Sequence, residues 1–348
     1  IGMMINALYN LVDAYFVGGL GTSQMGAISV AFPLGQVIVG LGLLFGNGAA
    51  SYISRLLGRG EKEAADKVAS TALYSSLFVG AAMILCSLFF LKPILKLLGA
   101  TESILPYAVT YTAIYVTSSI FNIFNVTMNN IVTSEGAAKT TMCALLTGAV
   151  LNMALDPIFI YALHLGVAGA AIATAISQVV STLVYLFYVL RKKSVFSFHI
   201  RKCCFSRKIM SEILKIGIPT LVFQLLTSLS ITLINLQTKG YGDSVIAGMG
   251  VVTRIISMGS LMVFGFMKGF QPIAGYSYGS QKYDRLHEAI RISILWSTIF
   301  CAIFGLVMAL FPTQIMSQFT KGDLDFIQAG QKALRANGLS FLLFGFYT

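Results

Sequence analysis

Ten runs of about twenty apolar residues, each long enough to cross a bilayer, dominate this chain and fix its solvent. They cover approximately residues 1–18, 24–48, 68–91, 104–132, 141–162, 168–190, 217–238, 245–268, 289–311 and 328–348. A water-soluble domain of 348 residues could not hide so much apolar side chain, because its own surface needs polar cover. Charged residues make up 11% of the chain, against about 25% in a soluble domain, and the mean hydropathy is +0.81. The bilayer is therefore the solvent, which excludes a cytosolic enzyme, a secreted disulfide scaffold and a disordered protein. The expected fold class is an all-α polytopic membrane protein.

Basic residues set the expected orientation. Connections after even-numbered spans hold Arg55, Arg59, Lys62 and Lys67, then Lys139, then eight in 191–216, then Lys282, Arg285 and Arg291. Connections after odd-numbered spans hold Lys92, Lys96, Lys239 and Lys321, with Lys332 and Arg335 where the last span begins. Sixteen against six is a strong positive-inside asymmetry. It places the 191–216 stretch and the N-terminal side in the cytoplasm, and it accounts for the net charge of +11 without nucleic acid. Lys92–Gly99 is too short to span and reads as an interfacial helical turn. The chain starts and stops inside apolar runs, which is what a piece of a longer protein would show. Five cysteines carry neither zinc spacing nor a secreted pattern, and His164, His199 and His287 fall in loops, so no metal cluster is expected.

The halves repeat. An offset of 221 residues aligns Gly19 with Gly240, Gly21 with Gly242, Phe45 with Phe266, Gly48 with Gly269 and Gly58 with Gly279, and also the acids Glu63 and Asp284. Six spans return the chain to its starting side, so the copies run parallel, as in transporters built from parallel repeats. The expected organisation is a first lobe over 1–190, a cytoplasmic linker over 191–216 and a second, shorter lobe over 217–348.

Of thirteen acids, eleven lie in loops or at span ends. Asp13 and Asp156 lie within spans, where a carboxylate costs roughly 2.5–3.5 kcal/mol at a helix centre. Such a group persists where it meets an aqueous cavity, an ion or a proton. Asn152 precedes Asp156 by one turn on the same face, and Pro157 crowds the carbonyl of Met153. A carboxylate, an amide and a freed carbonyl form an oxygen set suited to a small cation, which Thr174 of the next span would complete. Tyr9 shares a face with Asp13, and Asn125 shares one with Asn129; hydrogen bonding between helices is the competing reading for the two asparagines. For Arg254 and Lys268 two readings compete: an anion or headgroup contact in the cavity, or, as favoured, a snorkelling charge for Lys268 and an interhelical carbonyl partner for Arg254.

The stretches LVDAYFVGGLG (11–21), SRLLGRGEKEAADK (54–67), NMALDPIFIYALHLGVAGAAIATAISQ (152–178) and GFQPIAGYSYGSQKYDRL (269–286) resemble the multidrug and toxic compound extrusion (MATE) transporters of bacteria. That resemblance implies twelve helices in two six-helix lobes forming a V, ten of them in this chain. It implies export of organic cations and amphipathic compounds across the bacterial plasma membrane in exchange for protons or sodium ions. By resemblance, Asp13, Asn152, Asp156 and Thr174 match the ion-coupling site, and Tyr9, Asn125 and Asn129 match cavity-lining positions. The implied partners are small cationic molecules and lipid, with no nucleic acid, no cofactor, no catalytic residues and a monomeric state. Spans 217–238 and 328–348 lack the acid that some relatives carry there, which concentrates coupling in the first lobe.

Two other carriers compete. A flippase for lipid-linked saccharides shares the architecture but needs a more cationic cavity to hold pyrophosphate. A major facilitator carrier would show a Gly-x-x-x-Asp-Arg pattern that SRLLGRGEKEA does not supply. An enzyme lacks any grouping of nucleophile, base and ligand.

Overall fold

Apolar runs in lipid must satisfy their own backbone, and helices do so within one segment. The computed structural model describes residues 22–98, 100, 102, 104–238, 243–317 and 324–347, and they are helical throughout their membrane-length segments. In chain order these are α1 (Thr22–Gly58), α2 (Lys62–Phe89), the short α3 (Leu91–Leu97), α4 (Leu105–Ser134), α5 (Ala138–Pro157) with a π turn at Ile158–Ala162, and α6 (Gly166–Leu190). A single 3-10 turn (Ile200–Lys202) interrupts the linker. Then follow α7 (Arg207–Thr238), α8 (Asp243–Gly279), α9 (Tyr283–Leu310), the short α10 (Pro312–Ser317) and α11 (Leu324–Tyr347). Seven of the long helices are apolar enough to cross a membrane. The other two carry polar residues at intervals: Asn122, Asn125, Asn129 and Asn130 in α4, and Lys332, Arg335 and Asn337 in α11. The first expected span lies outside the described residues.

Several helices outrun the apolar stretches that announce them. The 24–48 run becomes a helix of 37 residues, about 55 Å at 1.5 Å per residue, against a hydrocarbon core of about 30 Å. Its last turns, through Ile53 and Leu56, are packed in the core and run on to Gly58. The repeat is visible in these lengths. Under the offset of 221, α1 superimposes in bounds on α8, also 37 residues, and α2 on α9, both 28 residues, each followed by a short helix.

The chain divides into two compact units. Unit 1 holds the described residues through Leu226 together with Gly275–Gln281; unit 2 holds Thr227–Ala274 and the described residues from Lys282 onward. In unit 1, α4 packs between α1, α2 and α6, and α5 lies on α6. Its largest apolar cluster joins Phe45 and Ile53 of α1, Val68 and Ala72 of α2, Met128 and Ile131 of α4, Tyr185 of α6 and Ile213 of α7. In unit 2, α9 and α11 pack along each other, with Cys301, Met308, Met316, Leu334 and Phe341 at the centre. Large side chains such as Phe78 (76% exposed), Phe89 and Leu190 point outward, while Asp156, Asn152 and Thr127 are buried. Apolar outside and polar inside is the arrangement of a protein solvated by lipid.

The linker is sewn to unit 1. Phe196 and Phe198 alternate inward and meet edge-on in the main cluster, each contributing about 1.5–3 kcal/mol by burial. Between and beyond them, Ser197 donates through its backbone N–H (2.9 Å) and hydroxyl (2.7 Å) to Asp66, and the Lys202 ammonium reaches the same carboxylate at 2.6 Å. Tyr74 donates to the Phe198 carbonyl at 3.0 Å, and Thr71 accepts the Cys204 N–H at 3.0 Å. Glu135, at the end of α4, accepts from Ser194 Oγ and from the Val195 N–H, both at 2.9 Å.

Candidate functional site

Pro157 has no N–H to give, so the ladder of α5 loosens into the π turn that follows it, with Leu163 N–H bonded to Ile158 O at 2.9 Å. The chain reverses through Gly166, whose φ of 55° suits glycine, and α6 begins. The start of α6 then packs closely on that turn. An added Cβ on Gly169 would stand 2.6 Å from the Phe159 carbonyl oxygen, so a larger residue there would push α6 away from the turn. This approach sets Thr174 of α6 opposite Asn152 of α5.

The predicted ion-coupling residues that lie among the described residues come together. Asp156 is 0% exposed, Asn152 1% and Thr174 9%. The Asn152 amide lies 3.4 Å from both Asp156 Oδ1 and Thr174 Oγ1. Turned about, it donates to Asp156 Oδ2 at 3.1 Å and accepts from the Thr174 N–H at 3.3 Å, the better pair of bonds. Asp13 and Tyr9 lie outside the described residues.

A second polar station lies deeper along α6. Asn125 of α4 donates to the Gln178 side-chain oxygen at 2.8 Å and to its backbone oxygen at 2.9 Å, and accepts from the Thr182 hydroxyl at 3.0 Å. One turn on, Asn129 donates to the Tyr185 hydroxyl at 3.3 Å. Asn125 and Asn129 are thus nearly buried and engaged with α6. The sequence reading missed Gln178, Thr182 and Tyr185. The signal was present: Thr174, Gln178 and Thr182 recur every fourth residue, with Tyr185 three further, which is one stripe of a helix. The stripe carries polar groups from the Asp156 end of α6 toward the linker end.

Two charges outside these stations are placed as follows. Lys268 is half-buried in α8, and the backbone of Arg254 lies in the same helix. At the linker end, Glu135 sits outside the spans, and burial lifts its carboxyl above the usual range; Val195, Tyr188 and Ser194 offset this only in part.

Chemically, the Asp156 cluster offers a carboxylate, an amide oxygen and a hydroxyl. Hard oxygen donors of this kind suit a proton or an alkali cation rather than covalent chemistry. A lipid-solvated helical fold with an ionisable group buried in its interior defines a polytopic membrane protein of the transport class. The MatE family profile matches residues 1–158 and 219–348. The multidrug export protein MepA of Staphylococcus saprophyticus is 32% identical over 352 aligned positions, covering 99% of this chain and 78% of that protein. MepA of a Staphylococcus aureus strain is 31% identical over 354 positions with the same coverage. Among solved structures, a MATE protein in a straight conformation and an outward-facing multidrug resistance MATE transporter each match with a TM-score of 0.91 at 29% identity, over 99% of this chain and 77% of theirs. A transporter from Pyrococcus furiosus, described as having a binding pocket of reversed polarity, matches equally well over 78% of its length. The chain belongs to the MATE family of multidrug efflux transporters.

Proposed function

We propose that this protein exports cationic or amphipathic small molecules by alternating access, in antiport with protons or sodium ions, and that the coupling ion binds in the first half. The carrying observation is the fully buried Asp156 carboxylate with Asn152 and Thr174 around it. Holding a carboxylate's charge away from water is costly, and a neutralising cation relieves that cost in one state of the cycle and not in the other. Asp13 joins this set as the other intramembrane acid of the sequence. The linker end faces the cytoplasm of a bacterial plasma membrane, in keeping with sixteen basic residues against six. The names of the staphylococcal relatives support export as the direction of transport.

The test is dye efflux. Proteoliposomes holding the protein are loaded with a cationic fluorescent dye, and a proton or sodium gradient is imposed in separate runs. Efflux driven by at least one gradient and lost in Asp156→Asn is the expected result. Undiminished gradient-driven efflux in that variant would overturn the coupling assignment.

A further inference from the structure

The repeat brings two equivalent segments against each other at the linker end of unit 1. A Cβ on Gly58 of α1 would collide with the Tyr276 carbonyl oxygen of α8, and a Cβ on Gly279 of α8 would collide with the Arg55 carbonyl oxygen of α1. Gly279 is the repeat equivalent of Gly58, and Tyr276 that of Arg55. The two contacts are therefore one contact seen twice, as at the interface of a symmetric dimer. Ser54 and Gly275, also equivalents, meet at the centre, where a Cβ on Gly275 would stand 2.5 Å from that of Ser54. At Gly58 and Gly279 the helix backbones touch directly.

Helix α7 closes the same end from another side. Gly48 of α1 lies against the Ile213 carbonyl of α7, and Gly217 of α7 lies against the Leu44 carbonyl of α1. One ion pair ties these helices: Arg55 Nη2 to Glu212 Oε2 at 3.0 Å, with Lys215 Nζ on Glu212 Oε1 at 2.6 Å. Arg55 is held for this role by its own turn, through a bond from Nε to the Ser51 oxygen at 3.3 Å and by stacking over Tyr52. Backbone-to-backbone crossings between small residues gain by van der Waals fit and hold no interlocked side chains. They can part and re-form as rigid surfaces, which is what a two-state element requires.

We propose that the crossing of Ser54–Gly58 with Gly275–Gly279, latched by Arg55 and Glu212, is the gate that seals the linker end of the transport pathway, and that cargo enters from that end when it parts. This rests on the transporter reading above. The glycines set how closely the gate shuts, and the ion pair sets how long it stays shut. Because the two halves contribute equivalent residues, a Cβ at Gly58 and a Cβ at Gly279 should wedge the gate alike.

The experiment reads the gate without requiring transport. In a background with the five cysteines replaced by serine, Arg59 and Gln281, both exposed and just beyond the crossing, are changed to cysteine and spin-labelled in the full-length protein in lipid. A single short distance is expected in the parent. Gly58→Val and Gly279→Val should each add a longer population. Glu212→Gln, which leaves the crossing untouched and so guards against misfolding of the valine variants, should raise the open-to-closed ratio roughly two- to five-fold, the worth of a partly exposed ion pair. The swap Arg55→Glu with Glu212→Arg should return it. An unchanged short distance in Glu212→Gln and in folded valine variants would overturn the gate. A second arm joins the two cysteines with a short bismaleimide. Dye efflux should then cease; efflux at the unlinked rate would overturn the gate while leaving the transporter reading standing. Gate opening in the variants together with no dye efflux from the parent under either gradient would do the reverse.

Discussion

Asn125 of α4 is joined to Gln178 of α6 twice, through the side-chain oxygen at 2.8 Å and the backbone oxygen at 2.9 Å, so one amide fixes both the position and the rotation of a neighbouring helix. Gln178→Leu removes the first bond and leaves the second. Interhelical bonds of this kind average about 0.6 kcal/mol and reach about 1.7 in membrane proteins, so this loss should be small. Asn125→Leu removes all three bonds and strands the Gln178 amide, and should cost about 1–2 kcal/mol. Unfolding in mixed micelles checks both, and the double variant should fall short of the sum because the pair shares a bond.

The docking of the linker should weaken as the medium becomes alkaline. Burial raises the Glu135 pKa from its ordinary value of 4.5. The docked form therefore holds its proton more tightly than the undocked form. The stabilisation tied to that proton is complete below pH 4.5 and fades as the pH climbs through the raised value. Hydrogen exchange at the Val195 amide, which Glu135 accepts, should quicken over that interval beyond its intrinsic base dependence. Glu135→Gln keeps an oxygen for the Val195 N–H and should flatten the response. The same excess quickening in the glutamine variant would place its cause elsewhere.

Topology follows from the basic residues. In intact cells, a cysteine replacing Ser244 should react with an impermeant maleimide, and one replacing Ser206 should not. The reverse would turn the whole orientation over, including the side on which the gate opens.

What could be read in advance, and what could not, divides on physical lines. The apolar runs follow from the thickness of a bilayer, so the nine that fall among the described residues were legible as long helices, seven of them apolar enough to cross. Helix ends were not, because α1 continues past its most apolar stretch through Ser51 and Arg55 to Gly58, and α8 continues in the same way to Gly279. Asp156, Asn152 and Thr174 were legible as a group because an acid in an apolar run has few explanations. Gln178 and Thr182 were not, since a polar stripe on one helix names no partner until the rotation of α4 is known. The linker is a break in composition, yet Phe196 and Phe198 alternate within it at the spacing of an extended strap, and the Asp66 carboxylate that receives Ser197 lies 131 residues away in sequence. Long-range pairings of that kind leave little trace in one sequence.

The final prediction concerns the balance between ion and cargo. If a proton or sodium ion binds among Asp13, Asn152, Asp156 and Thr174, it removes negative charge that would attract a cationic drug. Ion and drug then oppose one another, and linkage makes the effect reciprocal: each must weaken the other by the same factor. A coupling of about 1–3 kcal/mol corresponds to roughly a 5–150-fold change in drug affinity. Equilibrium binding of a cationic dye to the purified protein should therefore weaken as pH falls or as sodium rises, and Asp156→Asn should abolish that dependence. Thr174→Ala separates the two ions. Sodium needs oxygen ligands at short range, whereas a proton needs only the carboxylate, so the alanine variant should lose sodium sensitivity while keeping that to pH. Dye binding indifferent to both ions in the unmodified protein would overturn the mechanism at its first step.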